Sequence, residues 1–216
     1  MAAPVAAKLV AAQASRRQFL KVAGIAGAGG LFLALGAGGA GAALATALAG
    51  QEDPALPLGP PSTDDGPLNA NGWAWPSSLR GVAQGFHDGF SIDLVTADGG
   101  PLYSPYDGVV VRAGGDGGGI PGVCQANPSW WKGENSTVII QHVYQGMVMF
   151  SSHNHIAPGS PASVGVAEGT AVRAGQTVAL SGMSGCTSGP HTHFTLASTN
   201  RNFNPDLNPY GFIGNP

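Results

Sequence analysis

Ser188-Gly189-Pro190-His191-Thr192-His193-Phe194 leads into a run of strand type that continues from Thr192 to Leu196. Side chains two apart on a strand share a face, so His191 and His193 point the same way. Two imidazoles so placed can meet one metal ion, or one can bind metal while its neighbour handles protons. A bare His-x-His pair arises often by chance. Here it has upstream companions: Gly175-Gln176, then Ser181-Gly182-Met183-Ser184-Gly185, then Gly189-Pro190.

Outward from this stretch the body reads as nearly all β. Short runs rich in Val, Ile and Thr alternate with Gly, Pro, Asn and Asp. Among them are Gly108 to Ala113, Ser136 to Val143, Met147 to Ser151, Thr177 to Ser181 and Thr192 to Ala197, with Gln145-Gly146 as a hairpin turn. No amphipathic helical period of useful length occurs. The chain's 35 Gly and 17 Pro argue against long helices outside its first residues. The expected fold is a compact antiparallel sheet or sandwich with long Gly-rich loops.

Taken together, several elements resemble the lysostaphin-type (LytM-like) zinc metallopeptidases of bacterial cell walls. They begin with Phe86-His87-Asp88-Gly89 and Ile92-Asp93-Leu94. Ser104 to Val110, Ser151-Ser152-His153-Asn154, Gly169 to Gln176 and His191-Thr192-His193-Phe194 complete the order. The resemblance covers about residues 85 to 198 and implies an open, groove-bearing β fold. It also implies zinc held by His87, Asp93 and His193, with His153 and His191 as the proton-handling pair. Two His and one carboxylate with an open position are a usual set for hydrolysing a peptide bond.

Two positions leave alternatives open. The family spaces His four residues before Asp, whereas His87 and Asp93 are six apart. Phe90-Ser91 reads as an insertion that preserves strand parity, so His87 still faces the metal; or the backbone bulges and Gly89 takes its place. Ser152-His153-Asn154-His155 is a second His-x-His. His153 fits the family motif because Asn154 follows it. His155 reads as a solvated loop residue or as a substitute ligand. His142, alone on an apolar strand, reads as structural, and Asp88 and Asp107 as turn residues. Trp130-Trp131 forms either a wall for a glycan or peptide or a plug beneath its loop.

The N-terminus carries Ser15-Arg16-Arg17-Gln18-Phe19-Leu20-Lys21, a twin-arginine sequence, before an uncharged Gly/Ala/Leu run from Val22 to about Leu48. Ala47-Leu48-Ala49 is a small-x-small cleavage signal. Residues 1–49 are therefore expected to be a signal peptide, forming a helix that touches the membrane transiently. If the signal is retained, it anchors the protein in the membrane. Residues 50–72, rich in Pro and Asp, read as a flexible leader, and 73–216 as the metallopeptidase domain. Losing Lys8, Arg16, Arg17 and Lys21 from nine cations, against twelve acids all retained, leaves a formal charge of −7. That charge argues against nucleic acid as a partner. The two cysteines, Cys124 and Cys186, both lie in the exported part, where an oxidising setting favours a disulfide.

The first functional expectation is an exported, monomeric zinc endopeptidase acting on peptidoglycan peptides, in cross-bridges or stems. The second is a degenerate member of the same fold that binds cell wall or activates an amidase, without zinc. A third is an exported metalloenzyme acting on another peptide.

Overall fold

The computed structural model describes residues 65–201 and 203–216. The expected signal, 1–49, and residues 50–64 of the leader lie outside the described residues. The described residues fall into two compact units: the hairpin tip 143–148, and the rest. Among them no helix is long and apolar enough to cross a membrane.

Nine strands carry the described fold. They are β1 (Val82–His87), β2 (Ser91–Val95), β3 (Pro101–Tyr103), β4 (Gly108–Gly115), β5 (Ser136–Tyr144), β6 (Met147–Asn154), β7 (Ala171–Val172), β8 (Thr177–Leu180) and β9 (His191–Ala197). Seven form one sheet in the order β1-β2-β9-β6-β5-β4-β7, and β3 pairs with β8 in a second. Antiparallel pairing joins β1 to β2, β2 to β9, β9 to β6, β5 to β4, β4 to β7 and β3 to β8. Helices are short: α1 (Gly122–Ala126), α2 (Ser160–Ser163) and α3 (Tyr210–Ile213), with a 3-10 turn at Pro128–Trp130. The all-β antiparallel expectation matches this architecture.

The small sheet is a second layer, and the apolar core lies between the two. Leu102 of β3 with Val178 and Ala179 of β8 packs against Val110, Val138, Ile140 and Val172 of the large sheet. Each of these Leu, Val and Ile side chains, fully buried, contributes about 1.5–3 kcal/mol. Alternation on β9 fixes which face is which. Thr192, Phe194 and Leu196 are fully buried towards the core, while His191 and His193 are half-buried on the opposite face. Phe194 thereby decides where the two histidines point. In the tip, Gln145 (φ 51°) and Gly146 (φ 81°) are both left-handed, as a two-residue hairpin turn requires.

His142 is structural, as its apolar strand suggested. Its Nδ1 donates to the Asp107 carbonyl at 3.0 Å, and the Ser151 hydroxyl lies 2.8 Å from Nε2. Burial pushes its pKa down to about 4. Trp73 stacks on Tyr106 (4.7 Å between ring centres) and meets Phe212 at 5.0 Å, walling in this imidazole.

Residues 65–72, assigned by composition to a flexible leader, belong to the body. Gly66 N–H donates to Gly175 O at 2.7 Å, Asn69 Nδ2 to Phe212 O at 2.8 Å, and Leu68 bridges to Ala74. Pro and Asp richness without an apolar period marks irregular backbone, but at residues 65–72 hydrogen bonds tie it down.

Candidate metal centre

Sheet register assembles the site. Asp93 of β2 stands directly opposite His193 of β9, and Val95 opposite His191. Asp93 and His193 therefore share a face, with His191 one step along it. His87, the last residue of β1, stands opposite Ser91, which shares its face with Asp93. Between Gln84 and His87, β1 has one residue more than its partner has between Asp93 and Ser91, and this bulge sets His87 diagonally across from Asp93. A tight turn, residues 88–90, follows. Asp88 (φ 45°) and Gly89 (φ 88°) are left-handed there. A Cβ on Gly89 would lie 2.7 Å from the Pro205 carbonyl oxygen, so glycine is required on two counts. Gly89 is thus a turn residue, and His87 takes the place by the carboxylate.

Three lone-pair atoms meet. His87 Nε2 is 3.0 Å from His193 Nδ1, His193 Nδ1 is 3.1 Å from Asp93 Oδ1, and His87 Nε2 is 3.3 Å from the same oxygen. His87 Nδ1 donates to the Gly85 carbonyl at 2.8 Å, which leaves Nε2 without a hydrogen. With both rings neutral, at most one hydrogen, on His193 Nδ1, lies among the three atoms, too few to satisfy them all. A cation would supply what is missing. A tetrahedral ion with bonds of roughly 2.0–2.1 Å needs ligand atoms roughly 3.3 Å apart, close to the observed triangle. His87, Asp93 and His193 are the group among the described residues able to hold a metal ion. Burial works against the Asp93 carboxylate. The hydrogen bond from His193 and the charges of His191, His193 and His87 outweigh it and hold the pKa below the usual range.

His191 flanks the triangle. Its Nδ1 donates to Gly189 O at 2.9 Å and its Nε2 lies 3.7 Å from Asp93 Oδ2. His153 does not join it. His153 pairs with Phe194, whose side chain faces the core, so His153 lies behind the sheet. It is fully buried, donates from Nε2 to the Tyr103 carbonyl at 2.9 Å, and packs on Phe194 at 5.2 Å. Burial pushes its pKa down to about 4. The expectation that His153 handles protons at the site is corrected on this geometry.

His155 occupies the groove instead. Strand parity would send it the way of His153, but β6 ends at Asn154 and His155 turns with φ 61°. Its ring centre lies 4.8 Å from that of His191 and 6.3 Å from that of His193. Nδ1 donates to Ser184 O at 2.8 Å, so Nε2 is the basic atom. Burial, then the neighbouring His191, lowers its pKa to about 4. The one sequence signal for it was the second His-x-His; a one-strand reading cannot see the left-handed turn that separates the pair.

The groove, about 420 Å³, is lined by His87, Asp93, His155 and His193 together with Val123, Trp131 and Phe203. Trp131 is thus a wall of the groove, and Trp130 is 38% exposed rather than a plug. Cys124 and Cys186 form the expected disulfide, with Cα atoms 5.9 Å apart. It fastens the tryptophan loop to the segment before His191. Alongside it, Lys132 N–H donates to Gly185 O and Thr187 N–H to Trp130 O.

Residues 85–205 match the family model of Peptidase family M23. No curated protein matches the chain in sequence. Among solved structures, the chain is similar to a peptidase M23 from Pseudomonas aeruginosa, at 22% identity over 70% of this chain and 54% of that one, with a TM-score of 0.45. It is similar to a zinc-containing peptidase from Vibrio cholerae, at 24% identity over 56% and 35%, with a TM-score of 0.41. The catalytic domain of the antimicrobial peptidase lysostaphin from Staphylococcus simulans gives 20% identity over 66% and 93%, with a TM-score of 0.43. The chain spans about half the length of the Pseudomonas protein.

Proposed function

Since this chain belongs to peptidase family M23, we propose that it is an exported zinc metalloendopeptidase that hydrolyses peptide bonds in peptidoglycan. The convergence of His87 Nε2, Asp93 Oδ1 and His193 Nδ1 within 3.0–3.3 Å carries this reading. Those three residues would hold the ion. When bound, zinc supplies Lewis acidity that polarises a carbonyl and brings the pKa of water towards neutrality.

The chain's own groups do the rest. His155, with Nδ1 committed to Ser184 O, accepts a proton at Nε2 and returns it to the leaving amine. Its lowered pKa keeps it unprotonated at neutral pH, ready to act as base. His191 stands beside it, its Nε2 3.7 Å from Asp93 Oδ2, where a protonated imidazole would stabilise negative charge developing on the substrate. Trp131 and Phe203 offer apolar walls along which an extended peptide lies, and the half-buried triangle limits water at the reacting bond.

An amidase-activating or wall-binding member of the fold has no need of a metal triangle, and the complete triangle here supports the enzyme. The disulfide and the signal-like N-terminus support export by the twin-arginine route, and the acidic composition supports a monomer that does not bind nucleic acid. The test is digestion of purified peptidoglycan by the zinc-loaded protein. New amino groups should appear without new reducing ends, cease with chelator, and return with zinc. Reducing ends alone, or no products at all, would rule the reading out.

A further inference from the structure

His155 carries its chemistry on a backbone that is left-handed without being glycine (φ 61°). Such a conformation costs of order 1–3 kcal/mol and persists only where neighbours hold it. Gly182 N–H donates to the His155 carbonyl at 3.1 Å, and the His155 N–H is held by one side chain. Asn135 Oδ1 accepts the His155 backbone N–H at 3.1 Å. The same amide donates through Nδ2 to Asp116 Oδ2 at 2.7 Å and to Asn154 Oδ1 at 3.2 Å. Asn154 Nδ2 in turn donates to the backbone oxygen of His193 at 3.0 Å. Asp116 N–H closes a ring by donating to Asn135 O at 3.0 Å. Because a backbone N–H can only donate, the orientation of the Asn135 amide is fixed.

We infer that Asn135 is the positioning residue of this site. It sets the left-handed turn that brings His155 into the groove and couples that turn, through Asn154, to the strand that carries His193. The role needs an acceptor for the His155 N–H and a hydrogen bond to residue 116 on a short planar group; asparagine supplies both, with a further donor to Asn154. Aspartate lacks the donors and would set a carboxylate against Asp116. Glutamine is one methylene too long for a pocket where a Cβ built on Gly185 would come within 2.8 Å of Asn135 Cβ. Asp116 anchors the amide from the Gly-rich loop, so this loop, which sequence reading could only describe as long, reaches the proton-handling histidine through one residue.

The inference rests on the proton-handling role proposed for His155, and its test separates the two. The full chain is compared with Asn135→Asp and with the exchange Asp116→Asn/Asn135→Asp, which restores an amide–carboxylate hydrogen bond with its direction reversed. In the metal-free proteins, ¹⁵N spectra of the imidazoles report the His155 tautomer. The Nδ1–H form should be single in the parent, mixed in Asn135→Asp and recovered in the exchange. On purified peptidoglycan with zinc, Asn135→Asp should lose about 10²-fold in kcat with KM changed less than about threefold, the scale expected for a misplaced group. Zinc affinity should stay within about tenfold, and the exchange should recover most of kcat. An unchanged His155 tautomer in Asn135→Asp, or an exchange that restores neither tautomer nor kcat, overturns the inference, as does loss of the fold in both variants. If His155→Ala keeps full turnover, the proton-handling reading falls, while the tautomer pattern still decides the role of Asn135.

Discussion

Replacing His153 and His155 separately with alanine should give opposite outcomes, although the two differ by a single intervening residue. His153 is fully buried, bonded to the Tyr103 carbonyl at 2.9 Å and packed on Phe194. His153→Ala removes that bond, worth about 1 kcal/mol, and leaves a cavity the size of an imidazole. The combined loss should be about 2–4 kcal/mol of folding stability, with turnover per folded molecule nearly unchanged. The His155 side chain is bonded through Nδ1 and meets the His191 and His193 rings at the groove. His155→Ala should cost little stability and lower turnover by about 10²–10⁴-fold, the scale of a positioned acid–base group, with zinc retained. Urea unfolding gives the stability change, and amino-group release from peptidoglycan, normalised to folded protein, gives the rate. A His153 variant that is stable but inactive, beside an active His155 variant, would refute the assignment of faces on β6.

Three further outcomes follow from the same structure. Gly89→Ala should destabilise by about 1–2 kcal/mol and weaken zinc binding, because its positive φ and the Pro205 oxygen both exclude a Cβ beside His87; zinc titration and unfolding with no change in either would contradict the turn assignment. Reduction of Cys124–Cys186, which closes a separation of 62 residues, should cost roughly 4 kcal/mol by loop-closure entropy. Two alkylatable thiols in the unreduced protein would contradict the bridge. Acid should destabilise the metal-free protein. His142 and His153 titrate near 4 when folded and near 6.5 in the unfolded chain, so between those values the unfolded state binds more protons. Stability should be level above about pH 6.5 and fall by several kcal/mol towards pH 4. The depressed Asp93 acts in the same direction but only below its ordinary value of 3.8. A urea midpoint as high at pH 4.5 as at pH 7.5 would contradict the burial of these rings.

Much of this molecule was legible because its strands alternate. Phe194 and Leu196 alternate with His191 and His193, and this settles both the core face and the groove face. The five runs read as strands all appear, with ends displaced by up to three residues. Strand β1 was not read as one, because Val82–His87 is mostly exposed and shows no apolar alternation. The choice between His153 and His155 failed for a different reason. Parity along one strand says only that two residues share a face; which face depends on the partner strand, and His153 stands beside Phe194. The left-handed backbone at His155 breaks the parity, and nothing local in Asn154-His155-Ile156 announces it. His87 was read as a ligand with Gly89 as its alternative, since the β1 bulge that sets its position is a property of pairing rather than of spacing. The network around Asn135 joins residues separated by about twenty positions, beyond any periodicity.

The account stands or falls on the metal triangle, and titration of zinc into the metal-free chain tests it most directly, with His191→Ala and His193→Ala alongside. The parent and His191→Ala should each bind one equivalent tightly, because His191 flanks the site without joining the triangle, whereas His193→Ala should lose the site. No zinc uptake by the parent, or equal affinity in His193→Ala, would contradict the assignment of His87, Asp93 and His193 as the ligands.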